Sequence, residues 1–582
     1  MDMKHKSIFL VLTVVALFLM GCSKQMNYKE YNIYDKDYIT QTFANVGGFM
    51  TGAYNQLEYD YGNYSGGAML ASASDESEYS LRGNGIEDFY NGGWSPANPK
   101  SATWTNMYRG ISICNLVLSE MQGLKFDELV LNKDYPQQMY RYNNYQYDAR
   151  FMRALFYFTL VRQYGGVPMV TPEMSIDEAN SLSRSSSDDV FRFIISECAD
   201  IQDKIIKDHN DLGDMSLGTA ETGRADQLCV LALKARAALY WASPLFNPNN
   251  DKERWHNAAS YYKELVDACV ARGKGLTANY EDTWSTLNYT TAGIAKEIVF
   301  ARRVSGVNNN AESYNYPAGI EKAAATTDVD NIVGANCPTQ NLVDAYDMLN
   351  GKGINEAGSG YDEQDPYKDR DPRLALTVAV NGAQWPTYSG APKLQTYIGG
   401  TNGLPLAGAT TTGYYLRKLL HGEIDLTANS KLKQNYHTYV LFRMGGIYLD
   451  YAEAVFQYLG SADATSSEFP ESAAALASWS RVRAGMPAFE SGMSNDKFWE
   501  KYKNERMVEL AFENHRFWDV RRWKEADKYF TNIVEMQITQ DGDGFKYTRK
   551  NVSRQWNDKM YLFPIPQTEK MKNPNLEQNP GW

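Results

Sequence analysis

Asn504–Trp523 reads NERMVELAFENHRFWDVRRW, and its pattern decides the fold class. Met507, Leu510 and Ala511 recur at spacings of three and four, which draws an apolar stripe along a helix; Val508, Phe512 and His515 continue it on the same side. Glu505, Glu509 and Glu513 are four apart and share a face. Asn514 is the expected break, because asparagine tolerates the left-handed conformation that ends helices. A second short helix then carries Phe517, Trp518, Val520 and Trp523 inward, with Asp519 and Arg522 spaced to pair. Charges among so many aromatics are costly unless paired, so Glu–Arg pairs are expected inside a helix corner. A corner this rich in aromatics is expected to hold a core together.

The same period runs through most of the chain. It predicts helices over Asp37–Glu58, Trp104–Met121, Asp148–Tyr164, Ser187 to about Lys207, Ala225–Ala242, Trp255–Ala271, His437–Leu459, Ser472–Ala484 and Asp496–Asn514. Gly165-Gly166 and Pro168 stop one of them, and Pro244 another. Alanines on the Ala225–Ala242 stripe allow a neighbouring helix to come close. Paired helices with small residues at their contacts indicate a helical scaffold, although no clean 34-residue period is present. Residues 277–436 break the pattern. They are loop-rich, with short β-like runs such as Glu297–Phe300. Tyr61–Thr103 is a second irregular stretch, rich in Gly, Asn, Ser, Asp and aromatics. A loop this long in a compact protein is functional or disordered, and its aromatics favour function.

The N-terminus predicts the compartment. Lys4, His5 and Lys6 precede an apolar run from Ile8 to Met20, too short to span a bilayer and right for a signal peptide. The run ends Leu19-Met20-Gly21-Cys22, which resembles a bacterial lipobox. Residues 1–21 are therefore expected to be removed and Cys22 acylated, anchoring the chain to a membrane. The other five cysteines are widely and irregularly spaced, which is no disulfide framework. The 582 residues carry a net charge of -12 and no dense basic run, which argues against nucleic acid as a partner.

ELAFENHRFWDVRRW closely resembles the C-terminal signature of the SusD/RagB family, surface lipoproteins of Bacteroidetes that capture nutrients for an outer-membrane transporter. Five further stretches resemble family landmarks in the same order: TGAYNQL at Thr51–Leu57, WTNMYRGISICNLVL at Trp104–Leu118, DARFMRALFYFTLVRQYGGVPMV at Asp148–Val170, GRADQLCVLALKARAALYWASPLFN at Gly223–Asn247 and PIPQTEKMKNPNLEQNPGW at Pro564–Trp582. The resemblance implies a mainly α, SusD-like fold in which tetratricopeptide-like helix pairs form a scaffold beside a loop-rich ligand-binding part with few short strands. It implies one such domain over residues 22–582, its scaffold mainly in 148–272 and 437–530 and its loop-rich insert in 277–436. It also implies capture of a glycan and a partnership with a SusC-like TonB-dependent transporter. Peptide capture, as in some RagB-like members, is the alternative, and a surface glycoside hydrolase a more distant one.

Catalytic motifs are missing: there is no GxSxG elbow, HExxH, Walker A loop or GxGxxG. No catalytic residue, metal ligand or cofactor is therefore assigned. Carboxylates are plentiful, so counting alone leaves a glycosidase pair open. Asp541-Gly542-Asp543-Gly544 resembles a calcium loop but lacks the later acidic ligand, and reads as a hairpin turn. The best binding candidate is Asp75–Lys100, DESEYSLRGNGIEDFYNGGWSPANPK. A sugar site needs aromatic faces for the C–H side of the ring, with amides, arginine and carboxylates for its hydroxyls. The loop supplies Arg82, Asn84, Asp88, Tyr90, Trp94 and Asn98. Arg82, Trp94 and Asn98 match by type the contacts that the resemblance implies for this loop. Trp94, flanked by Gly92-Gly93, is expected to stand exposed. Tyr314 and Tyr316 are a second candidate, expected opposite the first loop on the same resemblance.

Overall fold

Long apolar periods of the sequence become helices, and successive helices lie against one another. The computed structural model describes residues 36–212, 223–284, 292–304, 310–320, 332–423 and 437–582. Cys22 and the apolar run before it lie outside the described residues. The scaffold helices are α1 (Phe43–Tyr54), α2 (Thr103–Glu120), α3 (Tyr135–Tyr164), α4 (Ser187–Ile201), α5 (Gln227–Ala242), α6 (Lys252–Ala271), α7 (Met444–Leu459), α8 (Ala473–Arg483), α9 (Asn495–Glu509) and α10 (Arg516–Arg522). From α1 through α9 each packs on the next in chain order, which makes a stack of helix pairs. Side-chain caps start several of them: Ser186 accepts from the Asp189 amide at 3.1 Å for α4, and Asp226 from the Cys229 amide at 3.1 Å for α5. Gly110 of α2 lies flat on the Phe156 ring of α3, where a Cβ would sit 2.4 Å from a ring carbon. The alanines of α5 are buried as expected, and Lys234 on the same helix pairs with Glu264 of α6 at 2.6 Å.

Several helix predictions needed correction. The first helix is split: Lys36–Thr40 ends and α1 restarts at Phe43, with the Thr42 side chain accepting from the Asn45 amide. Helix α3 begins thirteen residues before Asp148, because Tyr142 and Tyr145 serve as its apolar face where no aliphatic period is visible. His437–Arg443, read as helix, is strand β6. Its β-branched and aromatic residues pair antiparallel with β2 (Ile298–Val304), Phe442 opposite Phe300 and Tyr439 opposite Arg302. The loop-rich insert thus leaves from and returns to one two-stranded ladder.

Two further ladders position the insert. Strand β1 (Ser77–Tyr79) pairs with β3 (Asn336–Pro338), so the Asp75–Lys100 loop is tied to the insert. Strand β4 (Val378–Ala379) pairs with β5 (Tyr415–Leu416) inside it. Strands β7 (Asn532–Asp541) and β8 (Gly544–Ser553) form a hairpin closed by Asp541 opposite Gly544, which is the turn expected there. The five described cysteines are all buried and unbridged, small hydrophobes of the core.

The signature segment is the buried ionic corner its sequence predicts. Glu505 takes Arg373 at 2.6 and 2.9 Å and Arg481 at 3.1 Å. Glu509 takes Arg483 at 2.6, Arg443 at 2.8 and Arg373 at 3.1 Å. Glu513 takes Lys418 and Arg443, each at 2.7 Å. Asp519 joins Arg522 at 2.9 Å, as its spacing suggested, and Arg506 at 2.6 Å. Asn514 does adopt the left-handed conformation, at φ +61°. Helix α9 nevertheless ends at Glu509, because Phe512 also turns left-handed at φ +61°. That conformation is costly for a bulky residue. It is held by full burial of the ring and by the Phe512 amide donating to Glu76 at 3.3 Å.

Candidate functional site

Most polar groups of the Asp75–Lys100 loop are spent on folding it. Asn98 donates to the Asp88 carboxylate at 3.0 Å and to the Gly93 carbonyl at 2.9 Å, and Lys100 closes on the same carboxylate. Asn84 caps the turn at Ile86 and donates to the Ser65 carbonyl at 2.9 Å. The ring of Tyr90 lies 4.2 Å from the Arg554 guanidinium, and its hydroxyl is enclosed with no hydrogen-bond partner among the described residues.

Trp94 overturns the expectation of an exposed indole. It is 2% exposed, packed edge-on against Phe89 and Phe563 at 4.6 Å and Trp582 at 5.0 Å. Gly92-Gly93 lets the chain turn so that the indole folds under the loop, where its N–H reaches the Pro99 carbonyl at 3.4 Å. Tyr316 is likewise enclosed, its hydroxyl held by Glu312 and the His421 carbonyl, both at 3.0 Å. Tyr314 is half-exposed and lies over Gly67, where a Cβ would come within 2.6 Å of its ring. Asn84 and Tyr314 therefore flank one Gly66-Gly67 turn.

Arg82 is different: its side chain is 57% exposed and reaches a groove of about 220 Å³. The groove runs between the loop, the 396–413 segment of the insert and the β7–β8 hairpin. Arg82 is held by Glu78 at 2.9 Å, and Glu78 also accepts from the Thr411 hydroxyl at 3.0 Å. Lys550 pairs with Glu535 across the hairpin at 2.7 Å. Burial pushes the Glu535 carboxyl up and the Lys550 ammonium pulls it down; with Glu78 alongside adding to the rise, the net direction is upward. Ile398 and Leu404 stand 48% and 41% exposed on the groove wall, while the Tyr397 and Phe545 rings, outside its lining, lie tilted against each other at 5.1 Å. Two exposed cations, a carboxyl, threonine hydroxyls and an apolar wall are what a polyhydroxylated ligand with a C–H face requires.

Of the residues singled out in the sequence, Arg82 lines this groove, and the groove's other walls were not anticipated. Ile398, Leu404 and Lys550 carry no motif. The available signal was aliphatic residues in the Gly-rich run Ile398–Leu406, where no period offers them a core. Among the described residues no group of three or more His, Cys, Asp or Glu side chains is placed to hold a metal, and no helix is long and apolar enough to cross a membrane.

Comparison with known proteins agrees with this architecture. The SusD family model matches residues 296–582, and a second model, described as starch-binding associating with outer membrane, matches residues 26–210. The chain belongs to the SusD family of outer-membrane-associated, surface proteins of Bacteroidetes. Two SusD-like proteins of Formosa agariphila are 20% and 23% identical, over 82% and 83% of this chain and 78% and 80% of theirs. A SusD-like protein from Bacteroides fragilis superposes with a TM-score of 0.74 at 24% identity, covering 94% of this chain and 98% of that one. A laminarin-binding SusD-like protein superposes at 0.62 with 18% identity, covering 93% and 100%.

Proposed function

We propose that this protein is a nutrient-binding lipoprotein that captures a glycan at the cell surface and delivers it to a SusC-like TonB-dependent transporter. The observation that carries the reading is the groove around Arg82, on the loop-rich side of a SusD-family scaffold. Relatives of this fold are described as laminarin-binding and as carbohydrate-binding, which supports a sugar as the ligand class. Arg82 is the primary contact. Asn84, Asp88, Tyr90, Trp94, Asn98, Tyr314 and Tyr316 lie outside the groove's lining. The chain acts as a binding protein and leaves its ligand intact. Residues 1–21 are the signal peptide, Cys22 the lipid anchor and 22–582 a single SusD-like domain.

A glycan array probed with the soluble mature protein tests the ligand class. Selective retention of one glycan type is expected, with its chain length unchanged after incubation. Retention of peptides and no glycan would replace this reading with peptide capture, and release of reducing ends would make the protein a hydrolase. Cys22→Ala tests the anchor: the protein should leave the membrane fraction, and unchanged fractionation would rule the anchor out.

A further inference from the structure

Behind the signature corner lies a second, semi-enclosed cleft of about 140 Å³, lined from α2, α3, α5, β6 and Glu513–Trp518. This is roughly ten times the space of about 10–15 Å³ that one water needs, enough for a ring-sized solute. Its walls hold polar atoms that the fold leaves unsatisfied. The Tyr64 hydroxyl, the Arg162 Nε and the Asn514 Oδ1 are all enclosed and lack a hydrogen-bond partner among the described residues. Buried polar atoms are almost always paired, so three orphans on residues that line one cleft ask for an occupant, which must draw these side chains a little way into the cleft because the three atoms lie just beneath its wall.

The orphans also state its chemistry. Arg162 has no acidic partner among the described residues; its guanidinium instead lies 4.2 Å from the Trp518 ring and 5.6 Å from that of Phe158. The other arginine of the cleft, Arg236, is already engaged by the Leu441 carbonyl at 2.7 Å and Asp450 at 3.5 Å. Asn514 presents an acceptor, since its amide nitrogen is committed to the Tyr439 hydroxyl at 3.0 Å. Exposed Glu58, which takes the Tyr439 hydroxyl, is a further acceptor, and marks where the cleft opens. Burial and the guanidiniums of Arg236 and Arg506 hold the His515 imidazole well below its ordinary value, so it is neutral and keeps an acceptor nitrogen. One planar cation without a carboxylate, surrounded by acceptors, matches a ring bearing one carboxylate and several hydroxyls.

We propose that this cleft is a second binding site, separate from the Arg82 groove, for a single carboxylate-bearing sugar ring of the uronate class, with Arg162 on the carboxylate and Asn514, His515 and Tyr64 on hydroxyls. The site does not depend on the groove's being the glycan site. A free uronate or a uronate unit of a chain presents the same chemistry, so both forms belong in the test.

Calorimetric titration of the intact mature protein with sodium glucuronate, with a glucuronate-containing disaccharide and with glucose tests it. Wild type should bind glucuronate at least about tenfold more tightly than glucose, as a charge-assisted contact implies. Arg162→Gln should abolish that preference, and Tyr64→Phe, which removes only a hydroxyl, should weaken glucuronate while keeping the preference. Arg82→Ala should leave glucuronate affinity unchanged. Tighter binding of the disaccharide would assign the site to chains, and tighter binding of the monosaccharide to free sugar; both support it. Absence of glucuronate binding by folded wild type, equal affinity for glucose, or unchanged affinity in both cleft variants would overturn it, as would loss in Arg82→Ala alone.

Discussion

Arg516 grips Asp75 with two parallel hydrogen bonds, from Nε at 2.9 Å and Nη2 at 2.7 Å, across 441 residues of chain. The pair joins the first residue of the Asp75–Lys100 loop to the first residue of α10. Both side chains are buried, so this pair acts on the loop as a clamp rather than as a contact for ligand. Asp75→Ala leaves the Arg516 guanidinium buried and unpaired, which costs about 3–5 kcal/mol. Chemical denaturation should show that loss. Replacing both residues by apolar ones of similar volume should recover part of it, and equal instability of the single and double variants would show that the pair is not the cause.

Trp94 belongs to the same structural layer. Truncating a buried aromatic costs about 3–5 kcal/mol, so Trp94→Ala should melt well below wild type. Any loss of glycan affinity should follow the unfolded fraction. A Trp94→Ala protein of normal melting temperature that no longer binds would return the indole to the ligand.

The buried carboxylates of the corner set the response to acid. Arg443 and Lys418 hold Glu513 down to about 2, against 4.5 for an unhindered glutamate, even though burial alone would raise it. The cations Arg483, Arg443 and Arg373 hold Glu509 lower still. The unfolded chain therefore takes up protons first. The stabilisation is complete above about pH 4.5 and is lost as pH falls through the folded value near 2. Melting temperature should drop steeply over that window. Glu513→Gln should start less stable and fall less steeply; a parallel slope would place the acid sensitivity elsewhere.

The sequence was most legible where local and tertiary forces agree. The Glu505–Glu509–Glu513 spacing predicted a charged face, and the aromatics around it required partners, so the buried ion pairs could be read without coordinates. Strand β6 was hidden because Leu441 continues the helical period of Gly445 and Tyr448 in α7, and its partner β2 is remote in sequence. The site was only partly visible for the same reason. Arg82 lies in a loop whose composition marks it, whereas Ile398 and Lys550 reach the groove through the insert and the hairpin. Trp94 misled because glycines beside an aromatic allow it to turn under a loop as readily as out of it.

Glycan capture at the groove is tested most directly by calorimetric titration of wild type and Arg82→Ala with the glycan selected on the array, alongside melting curves of both. Arg82 is exposed, but its removal leaves the buried Glu78 carboxylate without its cation, so Arg82→Ala should melt somewhat below wild type and is titrated well below its transition. Loss of a charge-assisted contact of about 1.5–3 kcal/mol should weaken binding by roughly ten- to a hundredfold. Equal affinity in the two folded proteins would contradict the assignment of the groove as the site of capture.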